Sequence, residues 1–155
     1  MSRNKKNNII EFSDKKYNLK NEAKALRLKM EADKLIVVGK PDEALEKYNL
    51  SIAFFDNAPT YIGRARACRE LGEYELALYD LNMLDKFLQS NFMFSDYEVY
   101  FERGLVHERL WDMKSAFEDM ERYIKICQER KIKPTLRSKE EALKGIDRWL
   151  SRFRS

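Results

Sequence analysis

Residues 58–88 read APTYIGRARACRELGEYELALYDLNMLDKFL, and this stretch decides the fold. Tyr61, Ala65 and Cys68 recur at spacings of four and three, as do Tyr74, Ala77, Leu81 and Leu84, so each set lies on one face of a 3.6-residue turn. The spacing predicts two short helices with a Gly72-Glu73-Tyr74 elbow between them. Gly72 can adopt the left-handed conformation that ends the first. A hairpin of this size cannot bury both apolar faces alone and therefore requires neighbours of the same kind.

The neighbours are present. Gly39 and Gly72 are 33 residues apart, as are Ala44 and Ala77, and the flanking residues agree: Gly39-Lys-Pro-Asp-Glu-Ala44-Leu against Gly72-Glu-Tyr-Glu-Leu-Ala77-Leu. A third copy lies 39 residues on, with Trp111-Asp-Met-Lys-Ser-Ala116-Phe replacing the glycine elbow. Small residues stand at matching places in the first helices (Ala32, Ala65, Gly104) and in the second (Ala44, Ala77, Ala116). Helices that cross at roughly 8–10 Å tolerate little more than a methyl group at the closest point.

The pattern resembles the tetratricopeptide repeat, in which a large residue, a small residue, an elbow glycine, an alanine and an aromatic recur in order. The copies read Leu28, Glu31-Ala32, Leu35, Ala44 and Tyr48; then Tyr61, Arg64-Ala65, Cys68, Ala77 and Leu81; then Tyr100, Arg103-Gly104, His107, Ala116 and Met120. The chain departs from the family in lacking the repeat-ending proline and in placing Trp111 where glycine is usual. The resemblance covers residues 25–128. It implies an all-α, right-handed α-α superhelix of about seven helices. Three repeats, spanning 25–57, 58–88 and 97–128, would follow a flexible basic arm over 1–20. A C-terminal capping helix would occupy 134–155.

Local signals refine this outline. The first helix is expected from an N-cap at Asn21 to Val38, and its partner from Pro41, tolerated in a first turn, to Phe55. Ser95 and Glu98 form a capping box for the fifth helix. The third repeat closes near Gln128. Beyond Pro134, one face of the last helix gathers Leu136, Leu143, Ile146, Trp149, Leu150 and Phe153, with Lys139, Lys144, Arg148, Arg152 and Arg154 largely elsewhere around it. Two apolar groups fall outside the repeats. The Ile9-Ile10-Glu11-Phe12 island should pack on the array, and Phe92-Met93-Phe94 should cover the edge of the second repeat or else meet a partner.

Composition sets the class. Of 155 residues, 44% are hydrophobic, enough for a core, and 36% are charged, as suits a thin array with much of each helix in water. The net charge of +4 hides a split: residues 1–20 carry six basic and two acidic groups, residues 125–155 ten and four, and the body fourteen and twenty. No apolar run approaches the ~18–20 residues that span a membrane, and MSRNKKNN has no signal-peptide core. Cys68 and Cys127 lack metal-type spacing and are expected as reduced core thiols in a cytoplasmic protein.

Chemistry is not signalled. Phosphate-binding glycine loops, Cys-x-x-Cys, His-Glu-x-x-His and Gly-x-Ser-x-Gly are absent. The single histidine, His107, takes the place of Leu35 and Cys68 and should point into the packing between helices. Glu118 and Asp119 point about 100° apart on a helix, and most acids are expected on solvated faces. The reading is therefore of a protein that is not an enzyme, with no cofactor, metal or small-molecule substrate.

What the resemblance implies for function is a groove. First helices of such arrays line a concave surface that holds peptides. Register places Lys29, Asp33 and Ile36 there from the first repeat, Ile62, Arg66 and Arg69 from the second, and Phe101, Leu105 and Arg109 from the third. Together they make an apolar strip flanked by arginines, with Phe101 as the expected anchor. One subset of the family clamps the C-terminal carboxylate of heat-shock chaperones with Lys and Asn on the first helix, Asn on the third, and Lys and Arg on the fifth. This sequence has Lys29, Asp33, Gly63, Glu98 and Glu102 there, so that tail is not expected as a ligand. The leading function is an adaptor or scaffold that binds an acidic or amphipathic peptide segment of another protein. The alternative is a small chaperone resembling those of type III secretion translocators. Nucleic-acid or membrane-surface binding through the basic ends ranks behind both.

Overall fold

The computed structural model describes residues 18–90, 97–133 and 136–153, and among them every regular element is an α-helix. Helices α1 (Leu19–Val37) and α2 (Pro41–Phe54) form one hairpin, α3 (Ala58–Leu71) and α4 (Tyr74–Ser90) the next, and α5 (Glu98–Arg109) and α6 (Met113–Glu129) the third. Helix α7 (Leu136–Phe153) follows and packs on α6 and α5. Most of the expected arm (1–17), the Phe92-Met93-Phe94 stretch, Ser95 of the capping box and the side chains of Leu136, Trp149 and Phe153 lie outside the described residues.

Capping explains the helix starts. Asn18, not Asn21, caps α1, its side chain accepting from the Lys20 N–H at 2.9 Å. Leu19 and Lys20 are good helix formers, so the helix runs back to the earlier asparagine. Asn57 caps α3 by accepting from the Thr60 N–H at 3.0 Å, and Asp112 caps α6 by accepting from the Ser115 N–H at 3.2 Å. Pro41 stands at the first helical position of α2.

The elbows share one geometry. Lys40, Glu73, Asp112 and Ile132 donate their N–H groups to the carbonyls of Leu35, Cys68, His107 and Cys127, at 2.8–3.0 Å. This six-residue closure requires a left-handed residue before the donor. Gly39 and Gly72 supply it at φ 76° and 78°; Trp111 takes the same conformation at φ 63°, and Lys131 at φ 51°. The tryptophan thus does the work of a glycine, with a side chain that the backbone disfavours.

The small residues are where close packing needs them. Ala32, Ala44, Ala65, Ala77, Gly104 and Ala116 are all buried. One core unites Tyr61, Ala65, Cys68, Ala77, Leu81 and Leu84 with Val99 and Val106 of α5. A second unites Tyr100, Phe101, Leu105, Met120, Tyr123 and Cys127, and Ile146 of α7 packs on it. Leu143, expected on the packed side of α7, is exposed, because α7 leans on the third hairpin along a narrow stripe. Cys68 and Cys127 are buried free thiols, and burial pushes the Cys68 thiol up to about 11. Among the described residues no helix is long and apolar enough to cross a membrane.

Among the described residues, four acids are exceptions to the expected solvated faces. Asp80, Asp85, Glu102 and Asp119 are buried, and each meets an arginine. Such groups enter a core only when paired and hydrogen-bonded.

Candidate functional site

The first helices of all three hairpins border one concave trough of about 1140 Å³, closed at one end by α7. All nine residues placed there by register line it: Lys29, Asp33 and Ile36 on α1, Ile62, Arg66 and Arg69 on α3, and Phe101, Leu105 and Arg109 on α5. The sequence reading missed the contribution of α7, which adds Glu141, Lys144, Arg148 and Arg152, and that of the Trp111 elbow. A signal existed: positions 144, 148 and 152 are each one helical turn apart and so share a face.

The charges on the floor of the trough pair within the chain, although the buried Arg69 Nε finds no hydrogen-bond partner. Glu102, only 2% exposed, accepts from Arg66 Nε at 2.8 Å, lies 2.6 Å from Arg66 Nη2, and accepts from Arg69 Nη2 at 3.4 Å. Burial works against the Arg66 charge, yet Glu102 outweighs it and raises the guanidinium above its ordinary value. On α1, Lys29 Nζ sits 2.7 Å from Asp33 Oδ2, while the buried Tyr48 hydroxyl donates to Asp33 Oδ1 at 2.6 Å. Burial, and then that hydrogen bond, push the Tyr48 phenol well up. Arg66, Arg69 and Lys29 are therefore spoken for.

The apolar residues differ from the expected open strip. Ile62, Phe101 and Leu105 are all buried, with Phe101 only 3% exposed and its ring 5.2 Å from that of Tyr123. Ile62 is covered by α5, in one core with Val99 and Val106, whereas Phe101 and Leu105 pack with Met120, Tyr123 and Cys127 of α6, beside Ile146 of α7. The open apolar surface belongs instead to Val37 and to Trp111, which is 72% exposed. Arg152 stacks over the Trp111 ring at 4.2 Å, and Arg148 Nε lies 3.2 Å from Glu108 Oε1.

Gly63 explains why the third helix offers no side chain. A Cβ there would stand 2.5 Å from Tyr48 Cε1 and 2.7 Å from its hydroxyl, so the ring of Tyr48 fills the space a clamp asparagine would need. Glu102, expected to repel a ligand carboxylate, does not face the trough as a bare charge; Arg66 and Arg69 neutralise it.

His107 is half-buried as expected, its ring nitrogens 3.6 Å from Asp112 Oδ2 and 3.8 Å from Asp119 Oδ2. Burial holds its pKa below the ordinary value despite both carboxylates, with Arg103 adding to the depression. Among the described residues no group of three metal-ligating side chains converges.

An array of stacked helical hairpins enclosing a concave trough is a repeat scaffold, and solved structures define which one. The first TPR domain of Spaghetti (RPAP3), bound to the HSP90 peptide SRMEEVD, is similar with a TM-score of 0.67 at 25% identity, over 86% of this chain and 96% of that one. The first TPR domain of human RPAP3 gives 0.66 at 24%, over 86% and 98%. A TPR-like protein of Chlorobium tepidum gives 0.72 at 19%, over 86% and 96%. No family model matches the sequence, and no curated protein matches it either. The fold is that of the tetratricopeptide repeat, a right-handed superhelix of helical hairpins.

Proposed function

We propose that this chain is a non-catalytic interaction module, an adaptor or scaffold that holds a segment of a partner protein in the trough. The observation that carries this reading is a single concavity of about 1140 Å³ shared by the first helices of every hairpin. A pre-formed surface loses little entropy on binding, so the ordering cost falls mainly on the partner's segment. The similar domain of Spaghetti binds a peptide in its own complex, which supports the same use here. The buried free thiols favour a reducing compartment such as the cytoplasm.

The ligand we propose is not a heat-shock tail. The two floor arginines are engaged by Glu102, Lys29 is engaged by Asp33, and Gly63 has no side chain to donate. Titration with SRMEEVD and with the same peptide amidated at its C-terminus checks this part: we expect the two to bind alike, and binding that depends on the free terminal carboxylate would reverse it. For the module itself, a photo-crosslinking residue is placed at Ile36, in the trough, or at Tyr79, which is exposed outside it. Partner capture should occur from position 36 and not from 79. Equal capture from both would dismiss the trough.

A further inference from the structure

The trough is electrically uneven. Its floor cations are consumed internally, as described above, whereas at the α5–α7 end Arg109 and Lys144 are exposed and have no ion-pair partner among the described residues. Beside them stands Trp111, exposed and held in a left-handed backbone where the two preceding hairpins use glycine. A strained, exposed aromatic gains little from burial at that position, and such outliers concentrate at binding sites.

We propose that the α5–α7 end is a subsite for an acidic protein segment: Arg109 and Lys144 take its side-chain carboxylates, and the open surface of the Trp111 indole takes an adjacent apolar residue. The inference rests on the trough being the binding groove and adds the chemistry of what enters it. Exposed cations facing spaced carboxylates supply orientation and on-rate more than affinity, while a rigid aromatic anchor supplies contact area. A nucleic acid suits the site less well, because Glu98, Glu108 and Glu141 line the same trough and would oppose a continuous phosphate backbone. Carboxylates spaced along a peptide can avoid them.

The test uses the full chain and a fluorescein-labelled peptide of Glu-Glu-Leu repeats, with a Gln-Gln-Leu counterpart and an oligothymidylate as controls. The acidic peptide should bind at least about tenfold more tightly than the neutral one, and the preference should shrink with added salt. Arg109→Ser and Lys144→Ser should each weaken it by about threefold to fivefold, with melting temperatures unchanged since both side chains are exposed. With 5-fluorotryptophan incorporated, the resonance lost in Trp111→Phe should shift on saturation. Ile36→Glu, at the far wall, separates the two readings. If it abolishes binding while the Arg109→Ser/Lys144→Ser double variant binds like the parent, the groove stands and this subsite falls. The subsite also falls if the acidic peptide does not bind, if the Trp111 resonance does not move, or if the oligothymidylate binds more tightly than the peptide.

Discussion

Arg103 grips Asp119 through two parallel hydrogen bonds, Nε to Oδ2 at 2.8 Å and Nη2 to Oδ1 at 2.7 Å. One hairpin earlier, Arg64 holds Asp80 the same way, at 2.8 and 2.7 Å. Each arginine also reaches back to the preceding hairpin: Arg64 Nη1 donates to Asn49 Oδ1 at 3.0 Å, and Arg103 Nη1 to Asn82 Oδ1 at 3.1 Å. Arg103 adds Asp85 at 2.8 Å. Planar guanidinium groups suit such forks, which fix direction as well as distance. The ladder ties hairpin to hairpin in one register.

Removing one member of a rung should therefore be severe. Asp80 is fully buried, so Asp80→Ala would leave Arg64 uncompensated and cost about 3–5 kcal/mol. Replacing both partners, as Arg64→Met with Asp80→Leu, should cost much less. Urea unfolding of the three proteins measures this, and a loss under about 1 kcal/mol for Asp80→Ala would mean the rung is dispensable.

Gly63 should resist even a methyl group. Tyr48 is fully buried and tethered to Asp33, so its ring cannot swing away from a new Cβ. Gly63→Ala is expected to cost about 1–3 kcal/mol by overpacking, despite the better helix propensity of alanine. A thermal melt unchanged from the parent would show that the first and second hairpins can part to admit it.

Trp111→Gly should separate stability from binding. The change relieves a left-handed penalty of about 1–2 kcal/mol and forfeits a cation–π contact with Arg152 worth about 0.5–1 kcal/mol at an exposed site. Stability should hold or rise slightly, while binding in the trough weakens. A variant both less stable and fully competent to bind would contradict both halves.

The single histidine makes a clean pH test. Because the folded His107 is held below its ordinary pKa by burial, the unfolded chain binds the proton more readily. Stability contributed by His107 is thus present above the unfolded value of about 6.5 and is lost as pH falls toward the folded value. Asp112, Asp119 and Arg103 are the charged groups around the ring. The Hε1 resonance should titrate with a midpoint below that of a free histidine, and His107→Gln should flatten the stability profile between about pH 5 and 7. A midpoint at or above the free value would reverse the sign.

The hairpins were legible because their signals are local. Gly39 and Gly72 mark elbows, and Ala32, Ala65, Ala44 and Ala77 mark crossings, through properties of single residues. The trough was legible as a set of positions, since helical register alone decides which side chains face inward. The depth of those side chains was not. Phe101, Ile62 and Leu105 line the trough as register predicts, but Ile62 is covered by Val99 and Val106 of α5 and the other two by α6 and α7, contacts between helices that no spacing encodes. Phe101→Ala is consequently a core truncation costing about 3–5 kcal/mol, not a clean probe of binding. The ladder was hidden for another reason. Arg64 and Arg103 align with Glu31, which pairs with Lys47 at 2.9 Å, so the polarity of the first rung is reversed and the repeat shows no common charge.

That reversal means the hairpins are not interchangeable tiles. Only the second carries both an arginine for the hairpin before it and an asparagine for the one after it. Inserting a duplicate of the first hairpin between the second and third would set Glu31 where an arginine should reach Asn82, leaving that seam without its tie. A longer array that keeps the arginine-to-asparagine tie at every seam would grow by copying the second hairpin.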